Sequence, residues 1–167
     1  MSEGPAGGPD SRPDNPPDQP ADPQPPPPAE PDQPAQAADT HQLYQRGLDL
    51  LGRGSPAAAA QLLQRAAAAE PRSRSILEAL ARAQFDAGQY AAAAGNFRLI
   101  VEASPSDDYA QFGLGLALAR TGDQSGAAEH LALAAAMRPN LRHYTDALHN
   151  VRATLRARRQ PPRGTAE

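Results

Sequence analysis

YAQFGLGLALARTGDQSGAAEHLALAAAMRP, residues 109 to 139, decides how the rest of the chain reads. Gly122 in its middle stands as far from Gly88 as Gly88 stands from Gly54; Pro139, Pro105 and Pro71 keep that interval, and so do Ala127, Ala93 and Ala59. Three residue types in one register mark an array of like units. In each unit the glycine parts two Ala- and Leu-rich segments and the proline closes the second, which predicts a helical hairpin. An Ala-rich bundle with accidental spacing would not place Gly, Pro and Ala together over three units. A long coiled coil is excluded, because each internal proline ends a helix.

Working outward, the stretch AAAAQLLQRAAAAE before Pro71 is the return helix of the first hairpin, and Tyr90 to Val101 is that of the second. Ile76, Leu77, Leu80 and Phe85 supply the apolar side of the helix before Gly88, and Phe97 and Ile100 take the places of Leu63 and Ala66 one unit earlier. Asp39 with Thr40, then Ser55 before Pro56, Ser73, Ser106 and Asn140 read as helix starts, since short polar side chains accept the first free amide hydrogens. Asp107 and Asp108 add carboxylates at the positive end of the next helix. After Asn140, residues Leu141, Tyr144, Leu148, Val151 and Leu155 form one narrow apolar stripe, as suits a terminal helix that covers the last hairpin and turns its other side to water.

Charge is segregated along the chain. Residues 1–40 hold eight acids against Arg12, net −7, and 13 of the 19 prolines precede residue 35. With Met1 the only large apolar side chain before Leu43, that segment has nothing to set against the roughly 1–2 kcal/mol per residue that backbone ordering costs, and it is expected to be disordered, with polyproline character at Pro25–Pro28. Residues 41–140 are neutral, with nine arginines and nine acids, and residues 141–167 carry net +4. All 16 basic residues are arginine, a usage associated with GC-rich, bacterial genomes.

The absence of cysteine excludes disulfides, thiolate metal sites and cysteine nucleophiles. No apolar run approaches the about 20 residues of a membrane span, and MSEGPAGGPD lacks the features of a secretion leader, so a cytoplasmic location is expected. His143, Asp146 and His149 are the one close His and acid cluster, but the two histidines point to different sides of a helix, and solvated residues are the simpler account. No phosphate-binding glycine loop follows a strand, and no enzyme activity, cofactor or metal is expected. The arginines of RATLRARRQPPR could meet a polyanion; against this stand the net charge of −3 and the lack of interleaved aromatics.

The three units resemble tetratricopeptide repeats. The small residues Gly47, Ala81 and Gly115 in the first helices, Ala59, Ala93 and Ala127 in the second, the fillers Leu63, Phe97 and Leu131, and the closing prolines match that family's pattern. Leu50 and Gln84 stand where it has an aromatic, Gln111 where it has Trp or Leu, and Pro56 where it has Tyr. The resemblance implies an all-α, right-handed solenoid. Its repeats are about 40–73, 74–107 and 108–140, with a capping helix 141–159 inside a domain 40–160, between disordered tails 1–39 and 161–167.

It also implies a peptide-binding groove along the first helix of each hairpin. The residues carried over are Tyr44, Leu48, Glu78, Arg82, Phe85, Tyr109, Phe112, Leu116 and Arg120, with His41, Gln45, Ser75, Asp86, His143, Asp146 and Asn150 around them. Four of the seven aromatics fall there, which favours an apolar or aromatic anchor in the partner. The family's Lys, Asn and Arg clamp for the terminal carboxylate of heat-shock chaperones has no counterpart, because Tyr44, Leu48, Glu78 and Phe112 occupy its places. The implied role is an adaptor for a protein or peptide partner, with no nucleic acid and no membrane span.

Overall fold

The computed structural model describes residues 33–159, and among these every regular element is a helix. In order they are α1 (Gln33–Gly52), α2 (Pro56–Ala69), α3 (Arg74–Asp86), α4 (Tyr90–Ala103), α5 (Asp108–Thr121), α6 (Gln124–Met137) and α7 (Arg142–Arg159). Gly54, Gly88 and Gly122 each follow a first helix at φ +73°, +78° and +97°, backbone conformations that side chains disfavour. Each helix packs on the next in chain order, and α1, α3, α5 and α7 also meet one another, whereas α2, α4 and α6 stay apart. The odd-numbered helices therefore line the inner side of a curved array, the expected α-solenoid.

Two clusters of buried side chains run through it. Ala59, Ala60 and Leu63 of α2 meet Ala79, Leu80 and Ala83 of α3; Leu77 and Ala81, on the other side of α3, join the larger cluster that reaches Val151. Helix α5 is covered nearly all round, with Ala110, Gln111, Gly113, Leu114, Gly115, Ala117 and Leu118 buried, so its sequence shows little one-sidedness. Leu63, Leu114 and Leu131 are the largest fully buried side chains, each contributing about 2–3 kcal/mol by removal from water. The close approach has a chemical reason. A Cβ on Gly47 would lie 2.6 Å from Leu63 Cγ, and one on Gly115 2.7 Å from Leu131 Cγ.

The helix starts differ from expectation in five places. Helix α1 begins at Gln33, so Asp39 and Thr40 lie inside it, and Thr40 Oγ1 donates back to Gln36 O at 2.9 Å instead of capping. The boundary of the amino-terminal tail at residue 39 is corrected accordingly; the remainder of that tail and residues 160–167 lie outside the described residues. Ser55 and Ser73 hold the cap positions of α2 and α3, but neither side chain accepts a bond. Asp107, not Ser106, caps α5, accepting from Ala110 N at 3.0 Å. Asn140 sits in the turn before α7, which starts at Arg142.

Candidate functional site

The inner face carries two adjoining depressions. One, of about 370 Å³, lies between α1, α3 and α5 and is lined by Tyr44, Leu48, Leu51, Ser75, Glu78, Arg82 and Tyr109 among others. The second, of about 200 Å³, is formed by Arg82, Phe85, Asp86, Phe97, Tyr109, Phe112, Gly113 and Leu116. Arg82 and Tyr109 belong to both, so the two join into one groove. Its floor in the second half is apolar because Gly113, having no side chain, lets the edge of Phe97 approach the backbone of α5.

The common register of the hairpins brings together eight of the nine expected groove residues. Arg120 is the exception. It points to the neighbouring hairpin, with its guanidinium carbon 5.4 Å from the ring centre of Tyr90. Phe85 and Phe112 divide their surface between packing and groove. Phe85 meets Tyr90 edge-on at 5.2 Å, and Phe112 stacks on Tyr144 at 4.3 Å while His143 meets it edge-on at 5.3 Å. Tyr109 leans edge-on against Phe97 at 6.2 Å and keeps 37% of its surface exposed. Burial of its ring pushes the Tyr109 pKa up, against the pull of Arg82, so its hydroxyl remains a hydrogen-bond donor at neutral pH.

Arg74 and Leu51 were not singled out from the sequence. Arg74, at the first position of α3, faces a helix dipole that repels it. What holds it there is Asp107 of the next hairpin, which accepts from Arg74 Nε at 2.6 Å, and Glu78, 3.4 Å away. An arginine so placed is itself the signal, since it demands an acidic partner. Asp107 thus caps α5 and ties it to α3, fixing the spacing of the helices that frame the groove. Glu78 is in turn held to Arg74, and Arg82 faces Asp86 at 3.9 Å. The groove is lined by paired charges around aromatic and aliphatic surface.

His143, Asp146 and His149 do not converge, and among the described residues no three His, Asp or Glu side chains are arranged to hold a metal. Nor is any described helix long and apolar enough to cross a membrane.

A family model described as tetratricopeptide repeat matches residues 44–108 and 79–142, together more than half of the chain. No curated protein matches. Among solved structures, the first tetratricopeptide domain of Spaghetti (RPAP3) bound to the HSP90 peptide SRMEEVD is 19% identical, with 71% of this chain and 94% of that one covered at a TM-score of 0.65. The Sgt2 domain from Aspergillus fumigatus is 23% identical, with 77% and 88% covered and a TM-score of 0.66. The Yersinia enterocolitica secretion chaperone SycD with a peptide of the translocator YopD is 16% identical, with 68% and 92% covered and a TM-score of 0.61. These likenesses are of fold. With the family match over residues 44–142 and three hairpins in one register, the chain belongs to the tetratricopeptide repeat family.

Proposed function

We propose that the protein is a cytoplasmic bacterial adaptor, without catalysis or cofactor of its own, that holds a segment of a partner protein along the inner face of α1, α3, α5 and α7. The observation that carries this reading is the continuous groove joined at Arg82 and Tyr109. Tyr44, Leu48, Phe85, Tyr109, Phe112 and Leu116 offer an apolar or aromatic anchor area to bury at small entropic cost, while Glu78 and Arg82 set the polar register.

The RPAP3 domain carries an acid-rich HSP90 peptide. A carboxylate-ended peptide of that kind is not the expected occupant here. Glu78 stands in the groove where a cation would be needed, and Tyr44, Leu48 and Phe112 supply no compensating donor amide or ammonium.

The test is selection from a random peptide library on the full chain, followed by fluorescence anisotropy with the enriched peptides. Tyr109→Ala is expected to weaken them about tenfold or more, as loss of a central aromatic anchor does, and Arg120→Ala to leave them unchanged. Enriched peptides that bind Tyr44→Ala, Tyr109→Ala and Phe112→Ala as tightly as the parent would move the site off the inner face.

A further inference from the structure

Helix α7 has an outer side on which no other described element packs, and the repeat register says what that side is for. Thr145, His149 and Arg152 stand one repeat period after Gln111, Gly115 and Leu118 of α5. Those three are the places on which α6 sits. Gln111 Oε1 meets His130 Nδ1 at 2.7 Å, the α-carbon of Gly115 faces Leu131, and Leu118 lies against Gly126. In α3 the corresponding Gln84 bonds Asn96 of α4 at 2.7 Å. In α7 no described element covers this helix-receiving side, and it is basic. His149, Arg152, Arg156 and Arg159 follow at steps of three and four residues and are exposed. None of these arginines is ion-paired with another described residue, and Asp146, the one acid of α7, only borders the start of the stripe.

We propose that this side of α7 receives an acidic amphipathic helix of a partner protein, seated where a second helix would complete a fourth hairpin. Charge complementarity names the occupant: carboxylates at three- and four-residue spacing would face His149, Arg152, Arg156 and Arg159 along about 15 Å of helix. A nucleic acid strand fits less well, because no aromatic stands in the stripe for bases to stack on. A lipid surface also fits less well, since the stripe has no apolar side chain to insert and the chain's net charge is −3. This surface lies apart from the inner groove, whose side of α7 is marked by His143 against Phe112.

The experiment titrates isotope-labelled full-length chain at low salt with two Ala/Glu peptides of about 18 residues and equal charge. One carries its glutamates in a single stripe and the other distributes them round the helix. The expected result is amide shifts confined to α7, with the striped peptide binding about fivefold tighter than its isomer and losing about fivefold in Arg152→Gln/Arg156→Gln/Arg159→Gln, whose circular dichroism melt should match the parent. Equal binding of the two peptides would overturn the proposal. So would tighter binding of an oligothymidine or of phosphatidylserine vesicles, shifts centred on Tyr44 and Tyr109, or no shift at about 1 mM peptide.

Discussion

The hairpins α3–α4 and α5–α6 share one register and differ in how their ends are tied. Ser73 and Gln89 hold the cap positions of α3 and α4, and neither side chain accepts a bond from its helix. Their counterparts Asp107 and Asp123 both do, from Ala110 N at 3.0 Å and Gly126 N at 2.9 Å. A second difference lies between the first turn of one helix and the last of the other. In the third hairpin Arg138 crosses that gap to Asp108 at 3.2 Å, and the Tyr144 hydroxyl donates to the same carboxylate at 3.0 Å. In the second, the corresponding residues are Ser104 and Arg74; Arg74 pairs with Asp107 instead, and Ser104 and Arg74 line a depression of about 430 Å³ together with Leu77, Leu99 and Ile100. The periodic residues thus set the spacing of the helices, while the aperiodic polar ones decide how firmly each hairpin is closed. The second hairpin relies on its neighbour, through Asp107, for a tie that the third makes internally and with α7.

Asp107→Ala should show the largest effect, because it removes the α5 cap and the anchor of Arg74 together. A loss of about 2 kcal/mol is expected in urea unfolding, near the upper end for a cap alone. The corresponding Ser73→Ala should cost only a few tenths, since Ser73 makes no side-chain cap bond. Equal losses would erase the distinction between the hairpins. Gly115→Ala should cost about 1 kcal/mol even though alanine favours a helix, because the added Cβ meets not only Leu131 Cγ but Leu131 N at 3.1 Å, and backbone yields less readily than a side chain. Alanine is already present at the matching position, Ala81.

The pH dependence should report on the third hairpin. Burial, then the bond to Asp108, raises the Tyr144 pKa to about 12. The neutral phenol is the form the fold keeps, so its contribution is complete below about 10, the value in an unfolded chain, and is lost as pH rises toward 12. His130 has the opposite sense. Burial lowers its pKa, so the folded state favours neutral imidazole, and that contribution is present above about 6.5 and lost as pH falls below it. Thermal melts should therefore drop on both sides, and Tyr144→Phe should weaken the alkaline arm, leaving the part that the raised Tyr109 contributes, without changing the acid arm. An alkaline arm unchanged by that substitution would detach it from α7.

The sequence was most legible where backbone geometry left little choice. Gly54, Gly88 and Gly122 sit in positive-φ turns, and Pro71, Pro105 and Pro139 lie just past the ends of α2, α4 and α6, so the three hairpins follow from spacing and α7 from its apolar stripe. It was least legible at helix starts, because Ser, Asn and Asp compete for one cap within a residue or two and only tertiary partners decide. Asp107 prevails over Ser106 by serving Ala110 N and Arg74 at once. The start of α1 was missed for another reason. The scarcity of large apolar side chains before Leu43 argues against order, yet Pro34 suits a first turn and the alanines that follow favour helix, so α1 extends out to Gln33. Arg120, which the resemblance places along the groove, lies against the Tyr90 ring, which offers its cation a nearer seat.

The smallest expected effect is a gain. Gln89 holds the cap position of α4 without a side-chain bond, and Asp123, its counterpart one repeat later, shows what an acid does there. Gln89→Asp should let a carboxylate accept from Ala92 N, as Asp123 accepts from Gly126 N, and place negative charge at the positive end of α4. A stabilisation of about 0.5–1 kcal/mol is expected, with slower hydrogen exchange in the first turn of α4 and little change in α6. A gain spread evenly over the array would mean that its hairpins unfold only as one body, and that the internal ties of the third confer no local advantage. A gain confined to α4 would mean that hairpin ends open independently, as the unequal capping of the second and third implies.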